Sequence, residues 1–257
     1  NNKGRIISNN KGAAEILKNW EIRKNNLLPK NIFNLFKDKS FQTFTTEIKD
    51  KFYTFNAVQI NAEAYFNLYG YDVTKQKIAE KEIEFRAYYD FLTKLPNRML
   101  FSDRANLAIA NATRNNEKLA FLFLDLDGFK NVNDTLGHQY GDYVIQTVSK
   151  IMEENVRAVD VVARYGGEEF AVILINTTAV MSNVVAKRIV SNIADYNFSM
   201  DGIETRLTIS GGMSEYPTHS KEMKTLIEYA DKAMYATKGA GGNNISIHNQ
   251  YEKKDYA

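Results

Sequence analysis

The chain has 257 residues, 44% of them apolar and 25% charged, with a net charge of +2 and no cysteine. That balance belongs to folded protein with room for two ordinary domains. It excludes disulfides and thiolate metal sites, gives no electrostatic case for a nucleic-acid partner, and offers no apolar run near the roughly 20 residues of a membrane span. Because the sequence opens on Asn1 and lacks cysteine, the expectation is a cytoplasmic segment of a longer protein. A membrane anchor would lie outside the segment.

Residues 1–74 read as short strands around a few helical turns. "GRIISNN" is strand-like, "GAAEILKNW" helical, and "FQTFTTEIK" rich in β-branched and aromatic residues. In "NAEAYFNLYGYDVT", Ala62, Ala64, Phe66 and Leu68 alternate with polar positions, as in a half-buried strand. A small antiparallel sheet with helices on one side follows. Residues 75–89 contain no Gly or Pro, and Ile78, Phe85 and, just beyond, Leu92 stand seven apart, which suits a connecting helix. Its stripe fits packing on its own domain as well as a two-stranded coil between chains. The helix is expected to end at Leu95, before Pro96.

Beyond it, strands alternate with helices. "KLAFLFLDLD" is a continuous apolar run ending in acids, as in a strand buried on both faces. "QYGDYVIQTVSKIMEENVRAV" has helical period, "VVARYGGEEFAVIL" reads as a hairpin with positive-φ glycines at its turn, and "VMSNVVAKRIVSNIADY" is helical. "TRLTISGGMSEY" is a strand, "KTLIEYADKAMYATKG" a helix and "NNISIH" a final strand, giving a mixed sheet flanked by helices.

Two pairs of acids stand out: Asp125 with Asp127 at a strand end, and Glu168 with Glu169 in the hairpin. If strand and hairpin are neighbours, three or four carboxylates converge, and a hard divalent cation relieves their repulsion. Each pair alone also reads as a solvated turn. "DGFKNVNDTLGHQYGD" adds a bend of exposed backbone N–H groups, Lys130, and the polar Asn133, Asp134, His138 and Asp142. Amides and a lysine suit phosphates; Asn and Asp side chains suit the edge of a base such as guanine. Read structurally, the same residues are loop and capping groups.

"DFLTKLPNR", "DLDGFKNVNDTLGHQYGD", "RAVDVVARYGGEEF" and "ADKAMYATKGAGGN" together resemble the GGDEF family of diguanylate cyclases, over residues 90–248. The resemblance implies an α/β (α+β), nucleotidyl-cyclase-like domain with a central mixed sheet flanked by helices. It implies that two GTP condense to cyclic di-GMP and two pyrophosphates across a homodimer. By position, Asp125, the Leu126 carbonyl and Glu168 would hold Mg²⁺ (or Mn²⁺), two ions per site. Glu168 or Glu169 would take the proton of the attacking hydroxyl. Asn133 and Asp142 match guanine-reading positions with His138 nearby, and Phe129 and Lys130 match the phosphate loop. Gly166 and Gly167 would lie beside GTP, and Lys238 matches a phosphate lysine. Gly242 stands where the family usually has arginine, which removes a contact worth on the order of 1–3 kcal/mol. Arg157 and Asp160, with Arg188 on the next helix, match the family's inhibitory product site.

The front segment resembles PAS sensors through "GRIISNNKGAAEIL" and "YGYDVTKQKIAEKEIE". It has neither His nor Cys, against His-ligated haem or thiol-linked flavin, and its ligand is unreadable. The expected domains are a PAS-like sensor at 1–74, a signalling helix at 75–89, a GGDEF domain at 90–250 and a tail at 251–257. An alternative is a weak or inactive module that binds GTP or cyclic di-GMP and regulates a neighbouring phosphodiesterase domain.

Overall fold

The computed structural model describes residues 5–6, 9–19, 43–59 and 66–248. The chain divides into two compact units, Asn1–Glu84 and Phe85–Ala257.

In the first unit, helix α1 (Lys11–Asn19) accompanies an antiparallel sheet of β1 (Thr43–Ile48), β2 (Lys51–Gln59) and β3 (Phe66–Asp72), in that spatial order. Alternation organises it: Tyr53, Phe55 and Ala57 of β2 are buried, and Phe44 and Ile48 of β1 join them. Ile16 of α1 and Leu68 of β3 pack on that cluster. Tyr69 and Tyr71 point outward. Strand β2 was not anticipated, although its period of two is as clear as that of β3. Ala62, Ala64 and residues 4, 7 and 8 of "GRIISNN" lie outside the described residues.

Helix α2 (Thr74–Tyr88) opens where Asp72 Oδ1 accepts the Thr74 N–H at 2.9 Å. It buries no residue, and Ile78 is 54% exposed. The helix stops at Tyr88, not Leu95. Asp90 Oδ1 accepts from the Thr93 N–H and hydroxyl, both at 2.8 Å, and Lys94 takes a φ of 64°, so a tight turn begins at Asp90, ahead of the proline. Tyr89 and Pro96 then pair across it in an antiparallel bridge.

The second unit is built on a five-stranded mixed sheet. Its order is β10 (Ile245–Ile247), β9 (Thr208–Tyr216), β4 (Leu119–Asp127), β6 (Glu169–Ile175) and β5 (Val161–Arg164). Only the β10–β9 pairing in this sheet is parallel. Strand β4 is central and dry on both faces. Ala120, Leu122, Leu124 and Leu126 pack with Val144, Ile145 and Val148 of α5 (His138–Glu154) and with Ile189 and Ile193 of α6 (Ala179–Asp195). Leu119, Phe121 and Phe123 face the other way, toward Phe101 and Ala105 of α3 (Arg98–Asn115) and Leu226, Ala230 and Met234 of α7 (Met223–Gly239). Helix α7 lies so close to β9 that a Cβ on Gly212 would meet the Ala230 carbonyl at 2.1 Å. A small hairpin, β7 (Phe198–Met200) and β8 (Ile203–Thr205), completes the unit and hydrogen-bonds the buried Tyr140 hydroxyl through Phe198 O at 2.7 Å.

The stretch expected as an open bend after Asp127 is instead mostly helix α4 (Phe129–Leu136). The chain bends at Gly128, with φ 69°, and at Gly137, with φ 85°, on either side of the helix. Helix α5 stops at Glu154, short of Val159, where Asn155 closes it and returns its amide to Ile151 O at 2.7 Å.

Candidate active site

The parity of β4 decides where the acids go. Asp125 and Asp127 share the side of Phe121 and Phe123, the face covered by α7, because side chains alternate along a strand. Glu169 pairs with Asp125 across the β4–β6 ladder and has the parity of Ala171 and Ile173, on that same face. The strand end and the hairpin tip are therefore neighbours, and α7 supplies the cation: Lys238 Nζ pairs with Asp125 Oδ1.

Three carboxyl groups share this lysine. Burial pushes the Asp125 carboxyl up, Lys238 opposes it, and Asp127 and Asp231 push further in the same direction. Burial and then the Asp125 charge raise Glu168, and burial, Asp125, Asp231 and Glu168 raise Glu169, with Lys238 opposing both. Asp231 was missed in the sequence, although it lies seven residues before Lys238 and hence on the same helical face.

Asp127 stands at the edge of the group, with its Oδ1 4.0 Å from Lys238 Nζ, and is held mainly by other partners. Its carboxylate accepts from Thr208 Oγ1 at 2.7 Å, Ser210 Oγ at 2.8 Å and the Asn243 N–H at 3.1 Å, and so ties β9 to the loop after α7. Among the described residues no three His, Cys, Asp or Glu side chains stand as a ready metal cluster. The residues nevertheless fit a hard cation by donor chemistry: two carboxylates, Asp125 and Glu168, flank the Leu126 backbone, and one lysine offsets only part of their charge.

The hairpin glycines serve a different purpose from the one expected. Neither Gly166 nor Gly167 has a positive φ. A Cβ on Gly166 would stand 2.2 Å from Glu169 Oε2, so the missing side chain is the space the Glu169 carboxylate occupies; a Cβ on Gly167 would meet nothing within 4 Å. Arg164, also missed, clasps the tip: Nη1 donates to Asp90 Oδ1 at 3.0 Å, and Nη2 to Gly167 O at 2.7 Å. Its partner lies 74 residues away, beyond the reach of local pattern.

Helix α4 begins two residues after Asp127 with no side-chain cap, so among the described residues only the Asn131 N–H of its first turn is returned, to Gly128 O at 2.9 Å, and Lys130 is exposed. Phe129 is buried and contributes only backbone there. Asn133 packs against Phe129 and Gly141, next to exposed Asp142. His138 is exposed at the start of α5 and hydrogen-bonds none of these among the described residues. Gly242 has φ 71°, and a Cβ there would stand 3.1 Å from Ser210 Oγ and 3.2 Å from Asp127 Oδ2.

Arg157, Asp160 and Arg188 line a separate cavity of about 380 Å³, with Met181 and Val184. Asp160 accepts from the Arg157 N–H and the Ile175 N–H, each at 2.9 Å, while Asn155 holds the Arg188 guanidinium through Oδ1 at 2.8 Å and its carbonyl at 2.6 Å.

Residues 87–244 match the family model described as diguanylate cyclase, GGDEF domain. A bifunctional diguanylate cyclase/cyclic di-GMP phosphodiesterase, MucR of Pseudomonas aeruginosa, is 39% identical over 165 residues, 64% of this chain and 24% of the relative. Diguanylate cyclase A of Treponema denticola is 43% identical over 131 residues, 51% of this chain and 35% of the relative. This chain thus spans about a quarter to a third of those relatives' lengths. The GGDEF domain of DgcB from Caulobacter crescentus, solved with c-di-GMP, superposes with a TM-score of 0.60 at 33% identity, covering 64% of this chain and 94% of that one. The fold, the pairing of strand end with hairpin tip and these matches agree: the chain belongs to the GGDEF family of diguanylate cyclase domains.

Proposed function

We propose that this chain is a diguanylate cyclase: it condenses two GTP into cyclic di-GMP with release of two pyrophosphates, each of two facing chains holding one GTP. The observation that carries the proposal is the Asp125–Glu169 register, which sets Asp125, Glu168, Glu169 and Lys238 together beside the uncapped start of α4. Asp125, Glu168 and the Leu126 carbonyl would hold Mg²⁺ or Mn²⁺, which supplies positive charge to the phosphates. Asn133 and Asp142 receive the guanine edge, and Lys130, Lys238 and the α4 N–H groups receive the triphosphate. The 3′-oxygen of one GTP bonds to the α-phosphorus of the other, its proton passes to Glu169 or Glu168, and pyrophosphate leaves; the reciprocal attack closes the ring. Carboxyls held above their usual range suit proton acceptance near neutral pH.

The cavity of Arg157, Asp160 and Arg188 is assigned to product inhibition. Two guanidiniums beside one carboxylate offer forked donors to phosphate and guanine. The first unit is assigned to a PAS-like sensor of unknown ligand, on the antiparallel sheet and the Asp72–Thr74 turn at the start of α2. The reading as an inactive regulatory module is not favoured, since every acid that the chemistry needs is present.

The test is to incubate the nucleotide-free chain with GTP and Mg²⁺ and separate the products. Cyclic di-GMP formed by the wild type and abolished in Glu168→Ala is the expected result; bound GTP left unconverted would overturn cyclase activity. For the second site, micromolar cyclic di-GMP is expected to bind the wild type and not Arg157→Ala, and equal affinity would remove the assignment.

A further inference from the structure

Gly141 is buried in the first turns of α5, in helical backbone where alanine is ordinarily the better residue. No turn or positive φ requires glycine there. What the position excludes is a side chain: a Cβ on Gly141 would stand 2.0 Å from Asn133 Oδ1 and 3.0 Å from Asn133 Cγ, with Phe129 Cζ at 3.2 Å. The amide of Asn133 hydrogen-bonds no side chain or backbone group among the described residues, so packing against the bare Cα of Gly141 is what places it.

We propose that Gly141 is a positioning residue for base selection, holding the Asn133 amide where it meets the Watson–Crick edge of guanine. The inference rests on the reading of Asn133 as a guanine contact. A hydrogen bond weakens steeply with misalignment, and a site built to pair with a base discriminates only while its polar groups stay aligned. The obstructed atom is the far end of a side chain, so an alanine can be accommodated by swinging the amide aside. The fold then survives while the amide loses its alignment.

The experiment compares wild type, Gly141→Ala, Asn133→Ala and the double variant in the 257-residue chain. It reads Kd for GTP and for ATP by titration calorimetry and the thermal unfolding midpoint. Each single substitution is expected to weaken GTP binding about tenfold or more. ATP, which shares the triphosphate but lacks the guanine donors, is expected to bind as before. The Gly141→Ala midpoint should hold or rise, and the double variant should bind GTP no more weakly than Asn133→Ala, because both changes remove one interaction. Unchanged GTP affinity in Gly141→Ala beside a loss in Asn133→Ala overturns the positioning role and leaves the base reading standing. So do additive losses with a lowered midpoint, which place the glycine in Phe129 packing. Unchanged GTP affinity in Asn133→Ala overturns the base reading, and the inference with it.

Discussion

Glu169, one of the two proposed proton acceptors, is set by an absence next to it. Its carboxylate lies over Gly166, 2.2 Å from where a Cβ would be, so Gly166→Ala forces the acid out without straining the backbone. If Glu169 takes the hydroxyl proton as proposed and does not hold the bound nucleotide, the expected result is a fall in kcat of about 10–100-fold with little change in KM for GTP. A parallel rise in KM would assign Gly166 to substrate contact instead. Gly242 carries the opposite constraint. With φ 71° and Asp127 and Ser210 within about 3.2 Å of a Cβ, arginine at this position would strain the loop. Gly242→Arg is expected to cost about 1–2 kcal/mol, a midpoint lower by about 2–4 °C per kcal/mol. An unchanged midpoint in differential scanning calorimetry would show that the loop relaxes freely.

At the scale of elements, the site depends on a clasp between the turn after α2 and the β5–β6 hairpin. Burial pushes the Asp90 carboxyl up, but hydrogen bonds from the Thr93 N–H and hydroxyl and from Arg164 outweigh it, and the group sits below its ordinary range. A carboxyl lowered on folding contributes stability above its unfolded pKa of about 4 and loses it as pH falls through the folded value. Asp90→Asn should therefore lower the unfolding midpoint at pH 7, with the gap to wild type closing below about pH 4. A gap independent of pH would mean that the Asp90 charge contributes nothing. The clasp also shows what sequence could and could not disclose. Strand β4 and the hairpin were legible because their apolar runs are local and buried on both faces. Helix α3 was not, because Phe101, Ala105 and Ala112 are its only buried residues and Met99 and Leu107 point to solvent. The acids were legible as pairs, but whether Asp127 joined them depended on Ser210 and Thr208, more than 80 residues on.

At the scale of the molecule, the second unit carries one set of Asp125, Glu168 and Glu169, whereas the proposed product requires two phosphodiester bonds. A single chain can serve one half of a symmetric reaction, so the proposed chemistry calls for a pair related by a two-fold axis, in which each chain presents its GTP to the other. This has a consequence for mixtures. If half of the chains carry Glu168→Ala and pairing is random, only about a quarter of the pairs contain two intact sites. Mixed pairs lack one of the two bond-forming halves and cannot close the ring. Cyclic di-GMP formation at fixed total protein is therefore expected to fall to about a quarter of the wild-type rate, not to half, after the two proteins are mixed long enough for subunits to exchange. A fall to half would mean that each chain works alone, and the proposed pairing would have to be abandoned even with the chemistry intact.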